Sequence, residues 1–105
     1  MFALNGKNAL VTGASGGLGA AIARALHQQG ARVVLSGTKQ AALDALQAEL
    51  GEGSFVVTAN LGDPNGPAQL LKDAEAKLGA GIDILVNNAG LTRDGLALRM
   101  KDEDW

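Results

Sequence analysis

Short apolar runs alternate with helical stripes along this chain. Lys7 to Thr12 reads as a buried strand ending in Leu10-Val11-Thr12. Gly17 to Gln29 reads as a helix: Leu18, Ile22 and Leu26 recur at i, i+4 and i+8 with Ala21 and Ala25 beside them, the spacing of a single helix face. Gly30 ends it. Ala31 to Ser36, with Arg32-Val33-Val34-Leu35 inside, predicts a second strand, and Gln40 to Leu50 a second helix with Leu43, Leu46 and Leu50 on one face and Gly51 after it. Ser54 to Ala59 is the third strand. Asp63-Pro64 has the form of a helix cap followed by proline in the first turn. The helix it opens carries Leu71, Ala74 and Leu78 and stops at Gly79. Ile82 to Val86 is a fourth strand, apolar except for Asp83, which is expected to fix where that strand begins.

Strands alternating with helices imply parallel pairing through right-handed crossovers. Continuously apolar strands imply a sheet covered on both faces. The expected class is α/β, a Rossmann-like doubly wound parallel sheet in its first half, with strand order 3-2-1-4. Residues 1–105 then form the dinucleotide-binding portion of a single domain, and the chain reads as a fragment of it. Asp102-Glu103-Asp104 has the character of a first helical turn without a body. On this reading the fourth strand is left as a bare hydrophobic edge.

The chemistry gathers at the carboxyl ends of the strands, where such sheets bind ligands. The first strand ends in Thr12-Gly13-Ala14-Ser15-Gly16-Gly17-Leu18-Gly19. So little side-chain bulk lets backbone N–H groups approach a ligand, and the helix behind it directs partial positive charge to the same spot. A dinucleotide pyrophosphate suits that corner. A tight connection that binds nothing is the plain alternative. The other strand ends are Ser36-Gly37-Thr38-Lys39, Asn60-Leu61-Gly62-Asp63 and Asn87-Asn88-Ala89-Gly90, all small, hydrogen-bonding or glycine-rich. Asn60 suits the adenine edge. Asn88 to Gly90 suit the ribose on the nicotinamide side, whereas Asn87 is equally suited to bonding back to a neighbouring strand.

Composition narrows the picture. With 47% hydrophobic and 19% charged residues the chain is a globular sequence and not a disordered one. There is no cysteine, which excludes disulfide and thiolate chemistry. No apolar run approaches the ~20 residues of a membrane span, and the first seven residues do not form a signal peptide, so a cytoplasmic location is expected. Three aromatic residues and no basic cluster argue against a nucleic-acid surface. Up to Ala42 there are four bases (Lys7, Arg24, Arg32, Lys39) and no carboxylate, whereas eleven carboxylates face five bases from Leu43 on. The segment with the glycine-rich corner is thus the positive part of an acidic chain, which suits a phosphate-bearing ligand. His27, the only histidine, falls at the end of a helix and reads as structural. Arg93 and Asp94 either face a substrate or pair with each other.

The second strand end bears on the cofactor. A carboxylate about 20 residues past the glycines would bind the ribose 2′-hydroxyl of NAD. None stands between Ala20 and Leu43; Ser36, Thr38 and Lys39 can instead donate to a 2′-phosphate. NADP is therefore expected in preference to NAD, though without an arginine clamp.

The glycine-rich corner together with Asn87-Asn88-Ala89-Gly90 resembles the short-chain dehydrogenase/reductase family. Within it, Leu91-Thr92-Arg93-Asp94-Gly95-Leu96 with Arg99-Met100-Lys101 and Trp105 resembles bacterial 3-oxoacyl-[acyl-carrier-protein] reductases, and acetoacetyl-CoA reductases share much of that tail. The resemblance implies Gly13, Ala14, Ser15, Gly16, Gly17, Leu18 and Gly19 around the pyrophosphate and its ribose. It also implies Gly37, Thr38 and Lys39 near the 2′-phosphate, Asn60 and Leu61 at the adenine, and Asn88, Ala89 and Gly90 beside the nicotinamide half. NADP-using members often carry a basic residue where this chain has Gly16. The family's proton donor is a tyrosine, supported by a lysine and a serine. This chain has no tyrosine, and none of Ser15, Ser36 and Ser54 follows a later strand, so no catalytic residue and no metal ligand is assigned. The expected parent reduces 3-oxoacyl-[acyl-carrier-protein] with NADP in fatty acid biosynthesis, as a homo-oligomer, and the 105-residue chain alone is expected to be inactive. Another short-chain reductase, or a non-catalytic nucleotide-binding module, are the alternatives.

Overall fold

The computed structural model describes residues 4–58, 66–87 and 97–100. In chain order these form β1 (Asn8–Val11), α1 (Gly17–Gln28), β2 (Arg32–Leu35), α2 (Gln40–Leu50), β3 (Ser54–Val56), α3 (Gly66–Leu78), β4 (Ile84–Asn87) and β5 (Ala97–Met100). The sheet order is β3-β2-β1-β4-β5. The pairs β1–β2, β1–β4 and β2–β3 are parallel, so the expected 3-2-1-4 core is present. The bare edge expected on β4 is not. β5 pairs with it antiparallel, Leu85 opposite Arg99. The polar and apolar residues after the fourth strand carry no clean period-2 signal, and pairing with β4 overrides local pattern there.

The sheet has a core on each face because strand side chains alternate. Ala9, Val11, Val33, Leu35, Ile84 and Val86 meet α1 and α2 through Ala23, Leu43 and Leu46. Leu10 and Val34 point the other way, into Leu70, Ala74 and Leu78 of α3, with Phe55, Ile82 and Leu85 packed around them.

Two predicted helix faces are corrected. Leu18 is 57% exposed, and α1 instead buries Gly19 and Ala23, with Ala20, Ile22 and Leu26 packed beside them. Leu71 is 41% exposed, and Leu70 takes its place in the core. In each helix a single leucine of the expected face is displaced, while Ile22 and Leu26 in α1 and Ala74 and Leu78 in α3 pack as expected. Small residues let α1 lie close to the sheet, so its closest-packed face is not its greasiest.

At the amino ends of the strands Asp83 does fix the start of β4. It accepts the Asn8 amide at 2.9 Å, and its own N–H donates to the Asn8 carbonyl at 2.8 Å. His27 closes the far end of α1, its Nε2 lying 2.8 Å from the Glu52 carbonyl. The edge of β3 is partly covered, since Gln47 of α2 donates to the Ser54 carbonyl at 3.1 Å. The predicted cap Asp63-Pro64 and the turn at 102–104 lie outside the described residues.

Candidate functional site

The three parallel pairings bring the carboxyl ends of β1, β2, β3 and β4 to one side of the sheet. β1 lies between β2 and β4, so the corner after it sits where the strand order reverses.

That corner is held by long-range bonds. The Ala14 N–H donates to the Ser36 carbonyl at 2.8 Å, fastening it to the end of β2. Thr12 fastens it to β4: its N–H donates to the Val86 carbonyl at 2.9 Å and its hydroxyl to Asn87 Oδ1 at 3.2 Å. Asn87 therefore bonds back to the neighbouring strand. No local pattern marks Thr12 as the residue that joins two strand ends, because its partner lies 75 residues away.

The glycines divide into two kinds. Gly13 has φ +66°, in the left-handed region. A Cβ on Gly19 would stand 2.2 Å from the Gly13 carbonyl oxygen and 2.7 Å from its carbon, so α1 can reach the sheet only with glycine there. Gly16 and Gly17 differ. A Cβ on Gly17 would meet nothing within 4 Å, and one on Gly16 only the Gly13 oxygen at 3.7 Å. The fold itself does not demand glycine at these two positions. What they provide is uncovered backbone. The amides of Ser15, Gly17 and Leu18 find no acceptor among the described residues, as befits the first turn of a helix. Here the helix opens on a glycine N-cap with no side-chain cap.

The second strand end lies against the first. A Cβ on Gly37 would stand 2.7 Å from Ser15 Oγ, so Ser15 occupies space that a side chain at 37 would need. Ser36 and Gly37 are buried, whereas Thr38 and Lys39 are exposed. Lys39 is the N-cap of α2 and makes no side-chain cap bond. The expected positive segment is corrected. Arg24 sits on the outer face of α1, paired with Glu49 at 2.6 Å. That pairing raises the Arg24 guanidinium's pKa and lowers that of the Glu49 carboxyl. Arg32 opens β2 at the opposite end of the sheet, where it donates to the Leu78 carbonyl and lies 5.6 Å from the Phe55 ring centre. Lys7 precedes β1 at that same end. Of the four early bases only Lys39 stands beside the glycine corner.

A surface pocket of about 460 Å³ beside α3, lined by residues including Val57, Thr58, Asp73 and Lys77, contains none of the glycine corner. Asn60, Leu61, Asn88, Ala89 and Gly90, with Arg93 and Asp94, lie outside the described residues. Among the described residues no cluster of His, Cys, Asp or Glu is arranged to hold a metal ion, and no helix is long and apolar enough to cross a membrane.

Residues 7–105 match the short chain dehydrogenase family. The chain belongs to that family. Among its curated relatives it is 56% identical to nodulation protein G of Rhizobium sp. (strain N33) over 105 residues, all of this chain and 42% of the relative. It is 46% identical to the 3-oxoacyl-[acyl-carrier-protein] reductase FabG of Escherichia coli (strain K12) over 100 residues, 95% of this chain and 41% of the relative. Of solved structures, 3-ketoacyl-(acyl-carrier-protein) reductase from Brucella melitensis, complexed with NADH, superposes with a TM-score of 0.77 at 35% identity. That match covers 84% of this chain and 36% of the other. This chain of the short chain dehydrogenase family thus spans about two fifths of the length of such relatives. Its described sheet and helices have the Rossmann-like order of that structure.

Proposed function

We propose that this chain is the cofactor-binding part of an NADP-dependent 3-oxoacyl-[acyl-carrier-protein] reductase of fatty acid biosynthesis. The observation that carries the cofactor half is the pair Gly16 and Gly17, glycines that the fold does not need, beside open amides at the strand-order reversal. Their uncovered backbone fits a pyrophosphate. Gly13, Ala14 and Gly19 shape that corner, the Ser15, Gly17 and Leu18 amides face the phosphates, and Asn60 with Leu61 and Asn88 to Gly90 take the adenine and nicotinamide ends. When bound, the nicotinamide supplies the hydride, while the residues of this chain hold and orient it. The reductases among the relatives support the substrate half, with the acyl group carried on its carrier protein.

NADP is favoured over NAD because the end of β2 offers Thr38 and Lys39, both exposed, and no carboxylate. Titrating this chain with NADPH and with NADH by nucleotide fluorescence tests both parts. NADPH is expected to bind at least about tenfold tighter, roughly 1.4 kcal/mol. Equal or tighter NADH binding would end the NADP preference, and no binding of either would end the cofactor reading. A second reading is a family reductase with a different carbonyl substrate. The 56% identity to nodulation protein G, against 46% to FabG of Escherichia coli (strain K12), favours a role outside fatty acid biosynthesis. Comparing 3-oxoacyl-[acyl-carrier-protein] with free ketones in a longer polypeptide carrying this segment separates the two.

A further inference from the structure

A strand in a parallel ladder turns alternate residues toward each side. On β3 the Gly53 carbonyl accepts the Val33 N–H at 2.8 Å, and the Val57 N–H donates to the Leu35 carbonyl at 3.0 Å. Positions 53, 55 and 57 therefore face β2, and Ser54 and Val56 face outward. Ser54 is already engaged. Its N–H donates to the Gly51 carbonyl at 3.2 Å, and its carbonyl accepts Gln47 Nε2 at 3.1 Å. Val56 is open: among the described residues its N–H and carbonyl find no partner, and β3 is the edge strand of the sheet.

The pocket beside α3 lies along this edge. Val56, Val57 and Thr58 line one side, and Asp73, Ala76 and Lys77 of α3 the other. Asp73 and Lys77 stand one helical turn apart but do not pair with each other. Gln69 Nε2 donates to Asp73 Oδ1 at 2.9 Å, and Lys77 has no ion-pair partner among the described residues. The edge thus offers one donor and one acceptor at Val56, and the helix beside it one acid and one base. Such a set is complementary to itself, as a twofold contact requires.

We propose that the β3 edge is an interface between two copies of this chain. Val56 of one copy and Val56 of the other form a hydrogen-bonded antiparallel pair, exchanging both N–H···O bonds about a twofold axis normal to the sheet. The same axis reverses α3. Asp73, Ala76 and Lys77 share the pocket with Val56, so the axis falls between Asp73 and Lys77 and sets each Asp73 against the Lys77 of the other copy. α3 packs over β2, and β2 and its counterpart stand three strand spacings apart, about 14 Å. That exceeds the roughly 8–10 Å of packed helices. A lysine extended toward an aspartate spans the gap, and the small side chain of Ala76 leaves it clear.

Two backbone bonds and two exposed ion pairs make a weak dimer, so sedimentation of the 105-residue chain is read up to about 1 mM. A monomer–dimer equilibrium is expected that weakens about threefold or more between about 20 mM and about 500 mM salt. In a mixture of labelled and unlabelled chains, nuclear Overhauser contacts should join residues 54–58 of one copy to 54–58 of the other. Asp73→Lys sets like charges across the axis and is expected to weaken the dimer about fivefold or more; adding Lys77→Asp restores it to within about twofold. Val56→Pro removes the outward amide without touching a β2 bond. It is expected to abolish the dimer while the circular dichroism of the fold persists. A chain that is monomeric at every concentration, a dimer joined through another face, or a double exchange that fails to rescue overturns the proposal. The cofactor titration does not involve this edge, so failure here leaves the cofactor reading standing.

Discussion

A methyl group added at position 17 and one added at position 19 have opposite expected effects. At Gly19 it collides with the Gly13 carbonyl at 2.2 Å, backbone against backbone, so the helix must move off the sheet. Gly19→Ala is expected to cost about 1–3 kcal/mol and to lower the melting temperature by roughly 4–8 °C for each of them. At Gly17 the methyl meets nothing, and Gly17→Ala is expected to leave stability equal or higher by about 0.4–1 kcal/mol. The same change puts a methyl where a phosphate approaches, so NADPH affinity should fall at least about tenfold. A melt and a titration on each variant check both statements. A Gly17→Ala variant that binds NADPH like the parent would show that position 17 faces no ligand. The run of glycines was visible in the sequence. Their division of labour was not, because it depends on the distance from 19 to 13, set when α1 folds back over the corner, and on that from 37 to 15, set when β1 pairs with β2.

Among the helices, α3 shows where a periodic pattern stops being decisive. Leu71, Ala74 and Leu78 follow i, i+3, i+7, and Leu70, Ala74 and Leu78 follow i, i+4, i+8. Both are legitimate helix stripes, and adjacent leucines differ by only about 100° around the axis. Packing against Leu10 and Val34 selects Leu70. Leu70→Ala is therefore expected to cost about 2–4 kcal/mol, and Leu71→Ala no more than about 0.5, measured by denaturant unfolding. Between α1 and α2 the Arg24–Glu49 pair adds a pH-dependent contact. Its hydrogen bond from Arg24 lowers the Glu49 pKa in the folded chain. The contribution is therefore present above the ordinary carboxylate range and lost as pH falls through the lowered folded value. Both side chains are exposed, so the effect is small. Melting curves of the parent and Glu49→Gln should converge on acidification and differ most near neutral pH. A constant offset would assign the difference to something other than ionisation.

Across the whole molecule, charge is distributed differently from its order in the sequence. Four early bases suggested a positive lobe, but folding sends Lys7 and Arg32 to the opposite end of the sheet and Arg24 to the outer face of α1. Linear charge counts do not record which end of a strand a residue occupies. Strand order, by contrast, was legible, because alternating strand and helix patterns leave few parallel topologies. The expected consequence is selective. Lys39→Glu should weaken NADPH about tenfold or more while sparing NADH, whereas Lys7→Gln should change neither. Paired titrations decide it.

The clasp between Asn8 and Asp83 joins residues 75 positions apart, and Thr12 with Asn87 does the same at the other end of the strands. The two central strands thus come from nearly opposite ends of the described chain, and neither can align until the intervening segment has been gathered in. Closing so long a loop costs entropy before any contact repays it, which slows assembly. In a refolding experiment the helices should therefore regain their circular dichroism early. Capacity to quench or enhance nucleotide emission should return only with the slowest phase, when the last seam of the sheet closes.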